Sequence, residues 1–478
     1  MAVSRRDFLK YGVGGLVVGS QLSWLLENKA YAATQTLDFT ITDAMKQMVT
    51  YNQVNTSAQC YFWIYKSNTP NLPAEVPGPH IFCTEGDTIT ITLTNELDEP
   101  HGFKVQGVAN TNPGKIQPGK KKTITFTAPA AGSYLYYDPF NEPVNRVMGL
   151  HGAFIVMPAA KVAGHNWTPY SNPTPAVQQM YDTFGKHPYP GLAWEEGDPA
   201  TNTPPFRQYI WLLHQASPVL FAEVGNYTAG LDYPAAQFAD LFINDPYANT
   251  FTSGIWNKKA QYFTINGQSG HFSHNNPAIC PQHRVGEPAL VRILNAGLWM
   301  HSLHIHANHV WVTYEDGVVQ KNPLWVDTWT AAPMGRFDYT IPFMRPPDVP
   351  NVRGIGRPDT PLTCLANPKI PGSTPHETWP PIEHLNMFYP AQNTPADPLH
   401  PLGDPLFVNI GVQMSPLCYP MHDHAEPSQT AQGGNYNNGL INGIEFIGDR
   451  NHPGGVITFP GAPTDHGPSS TGPAAPPF

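Results

Sequence analysis

Two short histidine segments have the residue types and spacing to bind a metal ion. Residues 300–309 read Met-His-Ser-Leu-His-Ile-His-Ala-Asn-His, and residues 422–424 read His-Asp-His. Side chains two positions apart on a β-strand point to the same face, so each segment would present a pair of imidazoles on one side. The histidines in these pairs are His304, His306, His422 and His424. Imidazole suits copper, zinc, nickel or iron, so the ligands predict a metal site without choosing the metal.

Strand patterns in the first half of the chain predict the kind of element that would carry such a site. Residues 85–95 alternate polar with β-branched apolar side chains, which is typical of a half-buried strand. Further strands are predicted at 122–128, 134–137 and 153–156, with Gly and Pro between them. We therefore predict an antiparallel β-sandwich over residues 33–160.

The second half repeats this plan. Residues 285–295 correspond to residues 85–95, and each run ends in Asn shortly before a histidine-containing segment. The overlay places His101-Gly-Phe-Lys-Val-Gln-Gly on His301-Ser-Leu-His-Ile-His-Ala, and Tyr137-Asp-Pro on His422-Asp-His. Such internal repetition predicts an all-β chain of two Greek-key β-sandwiches.

Composition marks the segments outside the sandwiches. Residues 1–32 contain Arg5, Arg6, an apolar stretch and Ala-Tyr-Ala, which predicts a twin-arginine-type signal peptide and export to the periplasm or the cell exterior. No later stretch is apolar for long enough to span a bilayer. The other predicted parts are a Pro-rich linker at 161–205, a second sandwich at 206–450 with a Pro-rich insertion at about 345–405, and a Pro- and Gly-rich tail at 451–478.

Charge and cysteine content exclude one class of partner and leave the disulfides open. The formal charge is -10 and Lys and Arg form no dense cluster, which argues against nucleic acid as a partner. With 53 Pro and 41 Gly, the composition suits turn-rich β-sandwiches. An exported chain with five cysteines is compatible with one or two disulfides and leaves at least one thiol unpaired.

The histidine segments resemble those of the multicopper oxidases, a family defined by four short segments that bind one type 1 copper and a trinuclear cluster. The family's third segment is His-Pro-x-His-x-His, and His301, His304 and His306 match its type 1, type 2 and type 3 ligands. His422 and His424 match the type 3 ligands of the fourth segment, His-Cys-His. The resemblance covers both sandwiches and implies cupredoxin-like domains and a copper cofactor of unknown ion number.

Other ligand positions of the family hold residues that do not suit copper in the usual way. The thiolate position is Asp423, and a blue type 1 site depends on that thiolate. In the first half the corresponding ligand positions are Lys104, Gln106, Tyr137 and Pro139. The resemblance therefore implies a reduced copper set, without a normal type 1 site or a full trinuclear cluster.

Several further residues are candidates for completing a mononuclear or binuclear site. They are His101, Asp423, His151, His309 and Tyr137. The resemblance implies an exported copper-binding protein that acts as an oxidoreductase on a small molecule or a metal ion. Two alternatives stay open, a copper-binding protein without turnover and a metal-free structural scaffold. Two-sandwich family members often form trimers, which suggests a homotrimer by analogy.

Overall fold

We describe the 478-residue chain from a computed structural model. The predicted signal peptide, most of the predicted insertion and most of the predicted tail lie outside the described residues. The described residues are 34–49, 57–183, 208–244, 258–343 except 275, 277, 286 and 307, the pairs 363–364, 376–377 and 457–458, and 417–449 except 432–435 and 437.

Two four-stranded sheets form the first sandwich. One has the strand order β2-β1-β4-β6 and the other β3-β8-β7-β5. Aromatic rings join the sheets, with Phe39 stacked on Tyr136 and Phe126 packed against Phe154. The strands are β1 Thr34–Val49, β2 Ser57–Thr69, β3 Ile81–Thr84, β4 Thr88–Asn95, β5 Lys104–Val105, β6 Lys121–Thr127, β7 Gly132–Tyr137 and β8 His151–Met157.

The second sandwich also has two main sheets. Their orders are β10-β9-β12-β17-β14-β15 and β11-β21-β20-β13-β16, with β22 joined to β21. The all-β fold predicted from the sequence is confirmed. The strands are β9 Gln208–Ala216, β10 Tyr262–Ile265, β11 Gln282–Val285, β12 Ala289–Asn295, β13 His301–Ile305, β14 Val310–Glu315, β15 Val318–Val326, β16 Thr328–Ala331, β17 Arg336–Ile341, β18 Thr363–Cys364, β19 His376–Glu377, β20 Leu417–Asp423, β21 Ile441–Asp449 and β22 Ile457–Thr458.

Short helices connect the strands. The described helices are α1 Val144–Val147, α2 Pro175–Thr183, α3 Pro218–Gly225, α4 Ala235–Asn244, α5 Gly270–His274 and α6 Glu426–Thr430. Helix α3 begins at a hydrogen-bonded cap, because the Ser217 hydroxyl accepts the backbone N–H of Leu220. Among the described residues, no helix is long and apolar enough to cross a membrane.

The internal repeat extends to individual hydrogen bonds. Asn95 ends β4, and its side-chain amide donates to the carbonyl of Glu99 four residues later. Asn295 ends β12 and makes the same bond to the carbonyl of Trp299. Each strand also lies between a parallel neighbour and an antiparallel one, β1 and β6 for β4, β9 and β17 for β12. The two halves therefore share one structural plan, as the overlay predicted.

A buried ion pair ties the two sandwiches together. Arg292 on β12 lies 3.3 Å from Asp338 on β17, and both side chains are fully buried. The hydroxyl of Ser133, from the first sandwich, donates to Asp338 and accepts from Arg292. The hydroxyl of Tyr170, from the connecting segment, also donates to Asp338. Burial raises the pKa of Asp338, and Arg292 with these hydrogen bonds opposes the rise.

We expect Asp338→Ala to destabilise the protein by about 3–5 kcal/mol, because it leaves the Arg292 charge buried without its partner. Chemical denaturation of the wild type and the variant measures this loss. The matched control is Lys258→Gln, which removes the partly exposed pair with Glu223 and should cost no more than about 1 kcal/mol. Equal losses in the two variants would contradict the central role of the buried pair.

Two cysteines settle part of the disulfide question. The buried thiols of Cys60 and Cys83 are not in disulfides, and they donate to the backbone carbonyls of Tyr61 and Ile155. The other cysteines of the sequence are Cys280, Cys364 and Cys418, and three cysteines can form one disulfide at most. The alternative of two disulfides is therefore wrong.

Candidate metal centre

The candidate centre lies on two neighbouring antiparallel strands of the second sandwich. Strands β13 and β20 pair in a register that places His304 directly opposite His422. His306 and His424 each follow the last residue of their strand by one position. The sheet thus brings together two segments that are separated by more than a hundred residues in the chain.

Alternation along β13 decides which side chains face the centre. His301, Leu303 and Ile305 are buried, whereas Ser302 and His304 between them are partly exposed. His422 on β20 is also partly exposed, and Asp423 beside it is fully buried. Histidines at even spacing therefore share the open face of the sheet, and residues one position away face the core.

The four imidazoles on the open face contact one another. Nδ1 of His304 lies 2.7 Å from Nε2 of His424, and Nε2 of His306 lies 2.8 Å from Nε2 of His422. The ring centroids of His304 and His422 are 5.2 Å apart. Ring nitrogens of His304, His306 and His422 all lie within 4.8 Å of one another. The prediction that these four histidines converge on one face agrees with this geometry.

The electrostatic environment favours the neutral form of His304, His306 and His422. Burial, with a smaller effect of His306, lowers the pKa of His304 to about 4. Burial also lowers the pKa values of His306 and His422, and neighbouring imidazoles add to both effects. A neutral imidazole has a free lone pair, which is the form that ligates a metal ion. The cluster therefore fits a metal ion both by donor type and by protonation state.

Asp423 fastens the two strands from the buried side. Its carboxylate accepts the Nδ1–H of His301 at 2.6 Å and the backbone N–H of Ser302 at 2.8 Å, both on β13. It also accepts the backbone N–H of Ala425 and the hydroxyl of Ser428. Burial alone would raise the pKa of Asp423, but the interaction with His301 and these hydrogen bonds lower it overall. We call this set of contacts the Asp423 latch.

His301 belongs to the latch, and the structure does not bring it to the four-histidine cluster. Its Nδ1 is bonded to Asp423, and its Nε2 contacts the side-chain amide of Gln215. His301 lies three residues from His304, and odd spacing on a strand places side chains on opposite faces. His301, which the family resemblance matched to the type 1 position, therefore lies on the face of β13 opposite to the cluster.

The first sandwich contains a counterpart of the latch. Strands β5 and β7 pair Lys104 with Tyr137, at the positions that His304 and His422 occupy in the second sandwich. His101 donates to Asp138 at 2.8 Å, as His301 does to Asp423. Phe140 donates its backbone N–H to Asp138, as Ala425 does to Asp423. Both sandwiches therefore have the buried His-Asp pair, but the second alone has histidines on the opposite face of these strands.

Comparison with known proteins assigns the first sandwich to a family. Residues 46–161 match the multicopper oxidase family model. This first domain is a multicopper oxidase domain. The predicted family is thereby confirmed for this domain, and copper is the cofactor that the family implies.

The relatives of the chain match it over short segments. The chain is 35% identical over 83 residues to Multicopper oxidase mco of Staphylococcus aureus, which covers 16% of this chain and 19% of that protein. It is 29% identical over 103 residues to a copper-containing nitrite reductase of Cereibacter sphaeroides, over 20% of this chain and 28% of that protein. The chain also resembles the crystal structure of a blue copper oxidase from Nitrosomonas europaea, with TM-score 0.47, 17% identity and 86% of each chain covered.

The remaining candidate ligands lie apart from the cluster. His101 and His151 are buried in the multicopper oxidase domain, and Nδ1 of His151 bonds to the carbonyl of Arg146. Tyr137 is on β7 of that domain, where burial and the charge of Glu142 raise its pKa against the opposing effect of Arg146. His309 stacks on Trp325, with ring centroids 5.3 Å apart. Asp423 faces the core as the centre of the latch.

Two residues of the centre were missed by sequence reasoning. The hydroxyl of Tyr436 lies 2.6 Å from Nδ1 of His422. The carboxylate of Asp327 lies 3.8 Å from Nε2 of His304, on the exposed side of the cluster. Tyr436 stands in the segment after the His-Asp-His run, where a tyrosine could have been noticed as a hydrogen-bonding partner. Asp327 reaches His304 through the pairing of β13 with β16, which no local pattern encodes.

We expect Asp423→Ala to cost about 3 kcal/mol of folding stability, because several buried donors lose their acceptor together. Thermal and denaturant unfolding without added metal would measure the loss. Ser302→Ala, on the paired strand β13, removes the exposed side-chain hydrogen bond to Thr330 and should cost less than about 0.5 kcal/mol. Wild-type stability in Asp423→Ala would show that the latch does not hold the strands.

The buried pair in the multicopper oxidase domain predicts a pH dependence. Burial alone would lower the pKa of His101, but hydrogen bonds to Asp138 and Glu99 and their charges raise it overall. Because the folded-state pKa is raised, this stabilisation is complete below the unfolded value of about 6.5 and is lost as pH rises through the folded value. The stability advantage of the wild type over His101→Gln should therefore shrink as the pH rises above the unfolded value of about 6.5. A stability advantage that stays constant or grows as the pH rises would contradict a raised pKa of His101. The control variant is His165→Gln, at an exposed site.

Proposed function

We propose that the chain is an exported copper-binding protein that acts as an oxidoreductase through a reduced copper set. The observation that carries the proposal is the convergence of four imidazoles from β13 and β20 on one exposed face. The residues that would hold copper are His304, His306, His422 and His424. Bound copper would supply one-electron redox chemistry at this face.

The contacts of the neighbouring residues support a reduced set. Asp423 binds Nδ1 of His301, Gln215 contacts its Nε2, and Asp423 fills the position of the family's thiolate, so a blue type 1 site has neither of these ligands. In the multicopper oxidase domain, Lys104 and Tyr137 face each other across β5 and β7 where the family's cluster takes histidines. The second-sandwich histidines would thus act without the usual partners from the first sandwich.

The solvent exposure of the cluster supports access of a substrate to the metal rather than storage of the metal in a closed site. The side chain of His304 is 24% exposed, and that of Asp327 beside it is 53% exposed. A metal site that keeps an accessible position can take a small molecule or a second metal ion as substrate, whereas a closed site favours retention. We propose that the substrate is a small molecule or a metal ion, and that it approaches the cluster from the solvent side of β13.

Export and assembly are proposed on separate grounds. Arg5, Arg6 and the following apolar stretch support twin-arginine export to the periplasm or the cell exterior, a route that takes folded proteins. Assembly as a homotrimer rests on analogy with two-sandwich family members.

The proposal is tested by metal binding to purified full-length protein. We expect the wild type to bind Cu(II) and the double variant His304→Ala/His422→Ala to lose at least 100-fold in affinity, measured by titration calorimetry and metal analysis. The control variant is His165→Ala, which removes a histidine paired with Asp182 outside the cluster and should bind as the wild type does. Absence of copper binding in the wild type would contradict the proposal and favour a metal-free scaffold.

Turnover separates the enzyme from a copper-binding protein without activity. Copper-loaded wild type should oxidise at least one of a phenol, Cu(I) or Mn(II), and the double cluster variant should not. Tight copper binding with no turnover on any of the three would overturn the oxidoreductase part and leave copper binding intact.

A further inference from the structure

We infer that Tyr436 is a positioning residue that fixes which nitrogen of His422 faces the metal. The inference rests on the proposed copper site and concerns the outer contacts of one of its ligands. Within the described part of the chain, His422 is the imidazole of the cluster that Tyr436 contacts, so its effect would pass through His422.

The two nitrogens of His422 face different environments. Nε2 points to Nε2 of His306 at 2.8 Å, inside the cluster. Nδ1 points outward, 2.6 Å from the hydroxyl of Tyr436 and 3.2 Å from the carbonyl of Asp423. A ligand that binds through Nε2 carries its proton on Nδ1, and both outer groups have oxygen lone pairs that accept it. The hydroxyl is the nearer acceptor and therefore sets the orientation of the ring.

The backbone at Tyr436 supports a built contact. Its φ angle is 54°, a left-handed conformation that is rare for a bulky residue. Gly439 donates its backbone N–H to the carbonyl of Tyr436 at 2.9 Å, which closes the turn. Outliers of this kind persist where the surroundings hold them and are concentrated at functional sites.

The turn that carries Tyr436 is anchored to a core strand. The carbonyl of Asn438 accepts the backbone N–H of Phe263 on β10, and the Asn438 amide donates to the carbonyl of Gln261. Gly439 packs so closely that a Cβ atom there would lie 1.9 Å from the Phe263 carbonyl oxygen. A side chain at Gly439 would therefore push the turn away from β10. Because the turn is held against β10, the phenol of Tyr436 is held next to His422.

Tyr436→Phe tests the inference because it removes the hydroxyl and keeps the ring. Loss of an outer hydrogen bond to a metal-binding histidine typically lowers metal affinity about 10–100-fold, and we expect a loss in that range for Cu(II). Electron spin echo modulation reports on the remote nitrogen of a copper-bound imidazole, and this signal should change for one ring. Tyr233→Phe, which removes the hydrogen bond to Glu223 outside the cluster, should leave affinity and signal unchanged.

A second variant covers the case in which Tyr436→Phe does not fold. Tyr436→Asn places a residue that tolerates positive φ in the turn and also removes the phenol, so it should fold and show the same loss. Wild-type affinity and an unchanged remote-nitrogen signal in a folded Tyr436 variant would overturn the inference while leaving the copper site intact. A wild type that binds no copper would overturn both.

Discussion

The antiparallel pairing of β13 with β20, held by the buried carboxylate of Asp423, is the interaction on which the candidate centre depends. One carboxylate joins His301 and Ser302 on the first strand to Ala425 and Ser428 after the second. Because the pairing puts His304 opposite His422, any shift in register by one residue would turn one pair of imidazoles toward the core. The latch therefore sets the geometry of the open face without touching the imidazoles there.

The first sandwich shows that this scaffold is separable from metal binding. It has the same buried pair, His101 with Asp138, and the same pairing of the two strands beside it. Its open positions are Lys104 and Tyr137, which the sheet accommodates as well as it does imidazoles. The buried side of the plan thus provides stability in both halves, and the exposed side is where the halves differ in chemistry.

Much of the fold follows from the sequence because alternation of polar and β-branched residues encodes a strand directly. Residues 88–95 and 289–295 are strands as predicted, and the Asn at the end of each makes the same turn contacts. The four-histidine face was also predictable, since even spacing on a strand fixes the side. His301 was matched to the type 1 position through family resemblance, and its odd spacing from His304 places it on the other side of β13.

Contacts made by turns and by distant strands could not be predicted in the same way. Tyr436 reaches His422 only because a turn with a left-handed residue is anchored to β10. The ion pair of Arg292 with Asp338 depends on how the two sandwiches pack, and neither residue lies in a motif. The cysteine pairing likewise needed coordinates, since spacing alone allowed two disulfides, whereas the thiols of Cys60 and Cys83 are not in disulfides.

The central claim is that copper binds to the second-sandwich histidines without a type 1 site. The most direct measurement is the absorption and spin-resonance spectrum of the full-length protein after loading with Cu(II). We expect a copper signal with nitrogen couplings from imidazoles and no intense blue thiolate-to-copper band, because Asp423 occupies the thiolate position. An intense blue band, or a protein that takes up no copper, would contradict it.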